Sequence, residues 1–231
     1  MFWQDEKRPA DFAVPDDVVD VVFSVDCREL PVDHAHSLST AIRRAAPWIS
    51  EEAEIGVHTV HVAGSQNGWE RPAHGTETRL LLSKRTKLTI RAPKHAVDRL
   101  SHDLCGAALD VDGCPLKIRE ARTRLLSKQG TLQARYVVAE SVDESDEAFL
   151  SRMARELGAL GIRVRRALCG RTNLLMTPAG PIATRSLMLA DLSPDESVLL
   201  QRRGLGPLRQ MGCGIFIPHK GIDSVRGAED D

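Results

Sequence analysis

The chain has 231 residues and a formal net charge of −1, with 42% apolar and only 4% aromatic residues. This length allows one large domain or two small ones, with cores built from aliphatic side chains. The near-neutral total excludes a polycationic protein, and no apolar run approaches the ~20 residues that a membrane span needs. The acidic start MFWQDEKRPADFAVPDD lacks the apolar centre of a signal peptide. We expect a soluble, cytoplasmic protein.

The cysteines are odd in number and scattered along the chain: Cys27, Cys105, Cys114, Cys169 and Cys213. None forms a CxxC pair with a second pair, or with histidines at zinc-ligand spacing. We therefore expect no metal site, and no motif calls for another cofactor.

Charge is distributed unevenly. Residues 1–54 hold twelve acidic and five basic side chains, whereas residues 76–135 hold thirteen basic and six acidic ones. A basic middle region of this kind can concentrate a polyanion. It is equally the pattern of a solvated charged face, and composition does not separate the two interpretations.

The first half begins with the apolar run VVDVVFSVDC, which predicts a strand at 18–27. A helix is predicted from Ser37, with apolar residues at helical spacing, Ser37 or Asp33 as its cap and Pro47 near its end. The remaining patterns predict strands at 57–63, 79–82 and 87–92, a helix at 94–102, and strands at 107–111 and 116–121.

The second half begins with a predicted strand at 132–139. The stretch DESDEAFLSRMARELGALG predicts a helix, with acidic residues at its start, an apolar stripe and Gly161 at its end. Leu192-Ser193-Pro194-Asp195-Glu196 predicts the start of another helix that stops near Gly204. Strands are predicted at 164–171, 182–190 and 213–218.

The second half thus follows the order β-α-β-β-α-β, and the first half is a rougher copy of it. We predict an α+β fold of two tandem ferredoxin-like, RRM-like domains, residues 1–125 and 126–231. RNA-recognition domains of this fold stack bases on sheet aromatics. Tyr136 is the single tyrosine and no strand carries an aromatic pair, so that mode of RNA binding is excluded.

A glycine-rich segment, GLGPLRQMGCGIFIPHKG at residues 204–221, joins the last predicted helix to the last strand. Glycine permits positive φ and close approach of the backbone to a ligand, and successive N–H groups can form an anion-binding nest. Gly212 and Gly214 would supply the nest, and Arg209 and Lys220 would add positive charge. A simple turn that ends a helix accounts for the same pattern.

Five stretches together resemble a known family: LPVDHAHSLSTAI (30–42), GVHTVHVAGSQNGWERP (56–72), LLLSKRTKLTIRAP (80–93), TRSLMLADL (184–192) and the glycine-rich segment. They are similar to the CRISPR repeat-processing endoribonucleases, the sixth CRISPR-associated protein family, in its myxobacterial subtype. The resemblance implies metal-independent cleavage of precursor CRISPR RNA at a repeat, a stem-loop RNA as partner, and retention of the product for an effector complex.

Metal-free RNA cleavage needs a base for the 2′ proton, an acid for the leaving oxygen and a cation for the phosphorane charge. Histidine suits either proton-transfer role near neutral pH. His34 is the first candidate because it falls in the DH pair that matches the family motif. His36 is a candidate partner or a helix-packing residue, and His58 is a catalytic candidate or half of a buried pair with His61.

The RNA-binding candidates are basic or flexible residues. Arg43 and Arg44 lie on the first predicted helix, and Trp69 could stack on a base or fill a loop pocket. The full set is Arg43, Arg44, Trp69, Lys84, Arg85, Lys87, Arg209, Gly212, Gly214 and Lys220. Two other functions stay open: a catalytically inactive RNA-binding subunit of a CRISPR complex, and a phosphometabolite-binding protein on the same fold.

Overall fold

The computed structural model describes residues 12–60 and 79–219. In the first half the elements are β1 (Val18–Asp26), β2 (Glu29–Pro31), α1 (Ala35–Ala45), β3 (Gly56–Val57), β4 (Arg79–Leu81), β5 (Lys87–Pro93), α2 (Val97–Leu104), β6 (Ala108–Val111) and β7 (Cys114–Arg124). In the second half they are β8 (Leu132–Val138), α3 (Asp146–Ala159), β9 (Arg166–Leu175), β10 (Ile182–Ala190), α4 (Pro194–Arg203) and β11 (Phe216–Pro218).

The second sheet has the strand order β11-β8-β10-β9, in which all neighbours are antiparallel. This is the order of a ferredoxin-like β-α-β-β-α-β unit. Both helices begin with favourable caps, because Ser145 caps α3 and Ser193 forms a capping box with Glu196 at α4. Phe149, Met153 and Leu157 form the buried stripe of α3.

The first sheet has the order β3-β5-β1-β7-β6. Without β6 this is the same four-strand arrangement, and β6 adds an edge through a tight hairpin to β7 at Asp112 and Gly113, both with positive φ. A separate ribbon pairs β2 with β4. The predicted tandem ferredoxin-like order is therefore confirmed.

Several predicted boundaries were wrong. α1 begins at Ala35 with His34 as its N-cap residue, and neither Asp33 nor Ser37 caps it; the Ser37 hydroxyl donates to the His34 carbonyl at 3.2 Å. β11 covers only Phe216–Pro218. The Gly214 amide still donates to the Tyr136 carbonyl of β8 at 2.7 Å, but Gly212 and Gly214 have positive φ, so the backbone before β11 is not extended. Within the described part of the predicted strand 57–63, only Val57 lies in β3.

The two halves pack on each other. Val18 shares a buried cluster with Leu126 and Val198, while Ala35 shares one with Tyr136, Leu175 and Cys213. All strands of the first sheet precede Leu125 and all strands of the second follow it, but the domain limits 1–125 and 126–231 stay a prediction. In the described ranges no helix has both the length and the apolarity to cross a bilayer.

Candidate functional site

His34 is held between two backbone groups at the start of α1. Its side chain is buried, with 3% of the residue exposed. The amide of Val60 donates to Nε2 at 2.9 Å, so Nδ1 carries the proton and donates to the Pro31 carbonyl at 2.8 Å. The ring is therefore neutral in this arrangement, with both nitrogens engaged. Neither ring nitrogen of His34 is therefore available to a substrate without the loss of one of these hydrogen bonds.

His36 differs from His34 in being half-buried. About 3.6 residues make one helical turn, so positions 36, 40 and 43 fall along one face of α1. Among the described residues, the Thr40 hydroxyl and Nε of Arg43 are buried atoms without a hydrogen-bond partner. Arg43 is half-buried and Arg44 is exposed. Of the predicted site residues, this face brings together His36 and Arg43.

His58 belongs to a charged network on the face of the first sheet opposite α1, in which Arg124 is exposed and the other members are mostly buried. Its Nε2 lies 3.6 Å from Oδ1 of Asp20, which is an ion-pair distance and too long for a hydrogen bond. Asp20 also accepts from Nε of Arg91 at 2.8 Å and from Nη2 of Arg124 at 3.0 Å. The network therefore contains two permanent cations, one carboxylate and the imidazole.

The pKa values of His58 and Asp20 are both lowered by their surroundings. Burial lowers the pKa of His58, and the positive charge of Arg91 adds to this effect against the attraction of Asp20. Burial would raise the pKa of Asp20, but the attraction of the Arg91 guanidinium holds it well below its usual range. His58 is thus neutral at neutral pH, beside an ionised Asp20.

Arg91 also joins the two halves, and it is not among the site residues predicted from the sequence. The guanidinium is fully buried, and Nη1 donates at 2.9 Å to the carbonyls of both Gln201 and Phe216. The sequence signals that could have identified this pair are Arg91 inside the apolar strand LTIRAP and Asp20 inside VVDVVF. Because buried charges are rarely unpaired, each of these two residues predicts an oppositely charged partner.

The amides of the glycine-rich segment donate to the protein's own carbonyls. Gly214 N–H donates to Tyr136 at 2.7 Å, Gly212 N–H to Arg209 at 3.0 Å and Leu205 N–H to Gly214 at 3.1 Å. Gly212 and Gly214 are buried. The nest expected at these two glycines therefore has its amides occupied, and their contact with RNA phosphates stays a prediction without geometric support.

The two glycines permit close packing. Gly214 has φ +64, and a Cβ there would lie 1.9 Å from the Leu205 carbonyl oxygen. Gly212 has φ +84, and a Cβ there would lie 2.8 Å from Cγ2 of Thr59. Both positive φ and lack of space therefore require glycine at these positions.

Arg209 also serves the fold. Its guanidinium donates to the carbonyls of Arg202 and Arg203 at the end of α4, and to Glu54 in the first half at 3.4 Å. Burial, with repulsion from Arg91, lowers the pKa of Arg209 to about 10. The positive charge expected to meet RNA is thus directed at helix-end carbonyls, where it is electrostatically favourable.

The turn after β4 carries the remaining basic candidates. Ser83 and Thr86 order it, since the Thr86 amide donates to the Ser83 carbonyl at 3.0 Å and the Ser83 amide to the Thr86 hydroxyl at 3.2 Å. Lys84 and Arg85 are exposed on this turn, whereas Nζ of Lys87 donates to the Ser24 hydroxyl at 3.0 Å. Trp69 and Lys220 lie outside the described residues.

Residues 12–60 and 79–219 hold no group of three or more His, Cys, Asp or Glu side chains arranged to bind a metal ion. The expectation that the reaction needs no metal stays a prediction.

Known proteins similar to this chain were found by sequence and by structure. A sequence model of the Cas6 family, described as "Cas6 Crispr", matches residues 19–221. The CRISPR-associated endonuclease Cas6 of Myxococcus xanthus (strain DK1622) is 30% identical over 201 residues, which cover 87% of this chain and 81% of that relative.

Two solved structures show the same fold at low sequence identity. A CRISPR-associated protein Cas6 superposes with a TM-score of 0.57 at 10% identity, covering 88% of this chain and 100% of that one. A RAMP protein described as binding different RNA substrates also gives 0.57 at 10% identity, covering 86% and 98%. Together with the sequence matches, these comparisons confirm the predicted family: the chain belongs to the Cas6 family.

Proposed function

We propose that this protein is a metal-independent endoribonuclease that cleaves precursor CRISPR RNA within its repeats and retains the product for an effector complex. Family membership and the 30% identical Myxococcus xanthus endonuclease support the reaction class. The observation that carries the catalytic assignment is the half-exposed face of α1, which presents His36 and Arg43 together.

The proposed chemistry uses the substrate's own 2′-hydroxyl. Its oxygen attacks the adjacent phosphorus while a base takes the 2′ proton. The bond from phosphorus to the 5′ oxygen breaks, and that oxygen receives a proton from an acid. The products are a 2′,3′-cyclic phosphate and a 5′-hydroxyl, so atoms and charges balance without water or metal. General acid–base catalysis of this kind contributes about 10²- to 10⁴-fold.

We assign one of these two proton transfers to His36 and the stabilisation of the developing phosphorane charge to Arg43. His36 is partly exposed, and within the described ranges its ring makes no hydrogen bond or ion pair. Arg43 follows two turns later on the same face, so its long side chain can reach a phosphate beside the imidazole. A catalytic cation placed there would stabilise charge that develops only in the transition state.

His34 and His58 fit other roles better. His34 would have to give up the Val60 amide before Nε2 could accept a substrate proton. His58 is enclosed by Asp20, Arg91 and Arg124, and only 11% of its side chain is exposed. We therefore propose His34 as the residue that anchors α1 and His58 as part of the charged network.

RNA binding is proposed to use exposed cations around this face and on the ordered turn, namely Arg44, Lys84 and Arg85. A repeat stem-loop presents closely spaced phosphates, which suit such flexible positive side chains. Effector subunits are the proposed later partners of the retained product.

One assay separates this proposal from its rivals. A labelled repeat hairpin is incubated in chelator with wild type, His36→Ala, His34→Ala and the control His102→Ala, whose histidine is exposed at the end of α2. We expect wild type and His102→Ala to cleave, and His36→Ala to bind but lose about 100-fold or more in rate. Binding without cleavage by wild type would indicate the inactive subunit, and neither binding nor cleavage would indicate the metabolite-binding protein.

A further inference from the structure

We propose that Gly212 is a positioning residue: through Thr59, it fixes the segment that holds His34, and thereby the start of α1. The inference rests on the proposed function for its catalytic consequence only. In this proposal, the glycine-rich segment of the second half positions α1 of the first half.

The first step is the contact between the glycine-rich segment and the residues after β3. A Cβ at position 212 would lie 2.8 Å from Cγ2 of Thr59, 3.3 Å from the Val57 carbonyl oxygen and 3.4 Å from the Thr59 amide nitrogen. Gly212 therefore lies so close to Val57 and Thr59 that there is no room for a Cβ. Any side chain at 212 would displace that segment or be displaced by it.

The second step leads from this segment to α1. Val60 directly follows Thr59, and its amide donates to Nε2 of His34 at 2.9 Å. His34 is the N-cap residue of α1, but its side chain makes no cap hydrogen bond to the first backbone amides of the helix. Its ring, held between Val60 and Pro31, thus fixes where α1 begins and where His36 stands.

Two residues close to Gly212 in sequence also contact the α1 region. Cys213, next to Gly212, packs with Ala35, which precedes His36. On the other side, the Gln210 side chain donates to the Ile49 carbonyl at 2.6 Å, just after α1. The glycine-rich segment therefore contacts both ends of the α1 region, and Gly212 lies between these contacts.

Gly206 offers a matched control in the same segment. It has φ +71, close to the φ +84 of Gly212, but a Cβ there would meet nothing within 4 Å. Gly206→Ala and Gly212→Ala therefore introduce similar backbone strain. They differ in the contacts of the added Cβ, of which the shortest is the one with Cγ2 of Thr59. Thr59→Ser removes the colliding methyl group and keeps the hydroxyl, so it should relieve that collision specifically.

The test measures single-turnover cleavage and RNA affinity separately. We expect Gly212→Ala to cleave about 10- to 100-fold more slowly, as misplacement of a catalytic group does, with a Kd within about threefold of wild type. Gly206→Ala should cleave at close to the wild-type rate, and Gly212→Ala/Thr59→Ser should recover to within about threefold of Gly206→Ala. A loss of affinity with an unchanged rate, or no recovery in the double variant, would overturn the inference.

A second readout is independent of cleavage. Amide hydrogen exchange at Val60 reports its bond to His34, and we expect about tenfold faster exchange in Gly212→Ala but not in Gly206→Ala. If wild type does not cleave, the proposed function fails while exchange still tests the positioning. Equal Val60 exchange in both variants would refute the positioning. If Gly212→Ala does not fold, Gly212→Ala and Gly206→Ala are compared in a protein that also carries Thr59→Ser.

Discussion

Nε of Arg91 donates to Oδ1 of Asp20 across 2.8 Å at a position where the arginine has no exposed surface. The same guanidinium reaches the Gln201 and Phe216 carbonyls of the second half. A single buried cation therefore links β1, the end of α4 and β11.

Arg91→Met should strongly destabilise the protein, because it leaves a buried carboxylate and two carbonyls without this donor. We expect a loss of about 3–5 kcal/mol in the free energy of unfolding, measured by denaturant titration. Arg119→Met is the control, since Arg119 pairs with Asp26 at 2.9 Å on an exposed surface and should cost at most about 1 kcal/mol. Similar losses in both variants would contradict the bridging role.

Stability should fall with acidification through His58. Its pKa in the folded protein is lowered from 6.5, so the unfolded chain takes up the proton first as pH falls. Below pH 6.5 this proton uptake favours unfolding, by at most about 1.4 kcal/mol per pH unit. Asp20 does not contribute to the pH dependence between pH 7 and pH 5, because its pKa in the unfolded chain, 3.8, lies below this range.

The variant His58→Asn isolates this effect, because it removes this imidazole and leaves the rest of the chain unchanged. We expect its unfolding free energy between pH 7 and pH 5 to decline less than that of wild type. Parallel declines would mean that burial and the positive charge of Arg91 do not hold His58 neutral.

Gly214→Val should disrupt folding. The added Cβ would meet the Leu205 carbonyl at 1.9 Å, and a β-branched residue at positive φ adds strain of about 1–2 kcal/mol. We expect loss of the cooperative thermal transition, followed by circular dichroism, whereas Gly206→Ala should keep it. A folded Gly214→Val with specifically weakened RNA binding would instead support a phosphate contact at this glycine.

The salt dependence of RNA binding should identify the cations that meet phosphates. Each lost contact is expected to reduce the slope of log K against log salt by about 0.7–0.9. Lys84→Ala and Arg85→Ala, on the exposed turn, should each reduce it. Lys128→Ala, which changes an exposed residue outside the proposed RNA-binding set, should leave the slope unchanged. Equal slopes in all variants would remove the turn from the RNA surface.

The order of elements could be predicted because local patterns specify it. Period-two strands, the stripe of α3 and the Ser193-Pro194 start of α4 need no partner to be recognised. The length of β3 and β11 depends on which neighbours offer hydrogen bonds, and local patterns carry no such information. The cap of α1 was missed because His34 is held by Val60, which lies in a separate segment.

The site was less predictable for the same reason. Composition identifies glycines and cations in residues 204–221, but not whether their amides and guanidinium face a ligand or the protein. Here the Gly214 amide and Arg209 face the protein. Conversely, Asp20 and Arg91 are recognisable in the sequence as charged residues inside apolar strands. Their mutual hydrogen bond explains why each charge can be buried there.

The most direct test of the proposed chemistry removes the nucleophile from the substrate. Two repeat hairpins, one all-RNA and one with a single 2′-deoxy nucleotide at the scissile position, are compared in chelator at equal occupancy of the wild-type protein. We expect cleavage of the all-RNA hairpin to a 2′,3′-cyclic phosphate and a 5′-hydroxyl, and tight binding without cleavage of the 2′-deoxy hairpin. Cleavage of the 2′-deoxy hairpin, or loss of all cleavage on adding chelator, would contradict the proposed chemistry.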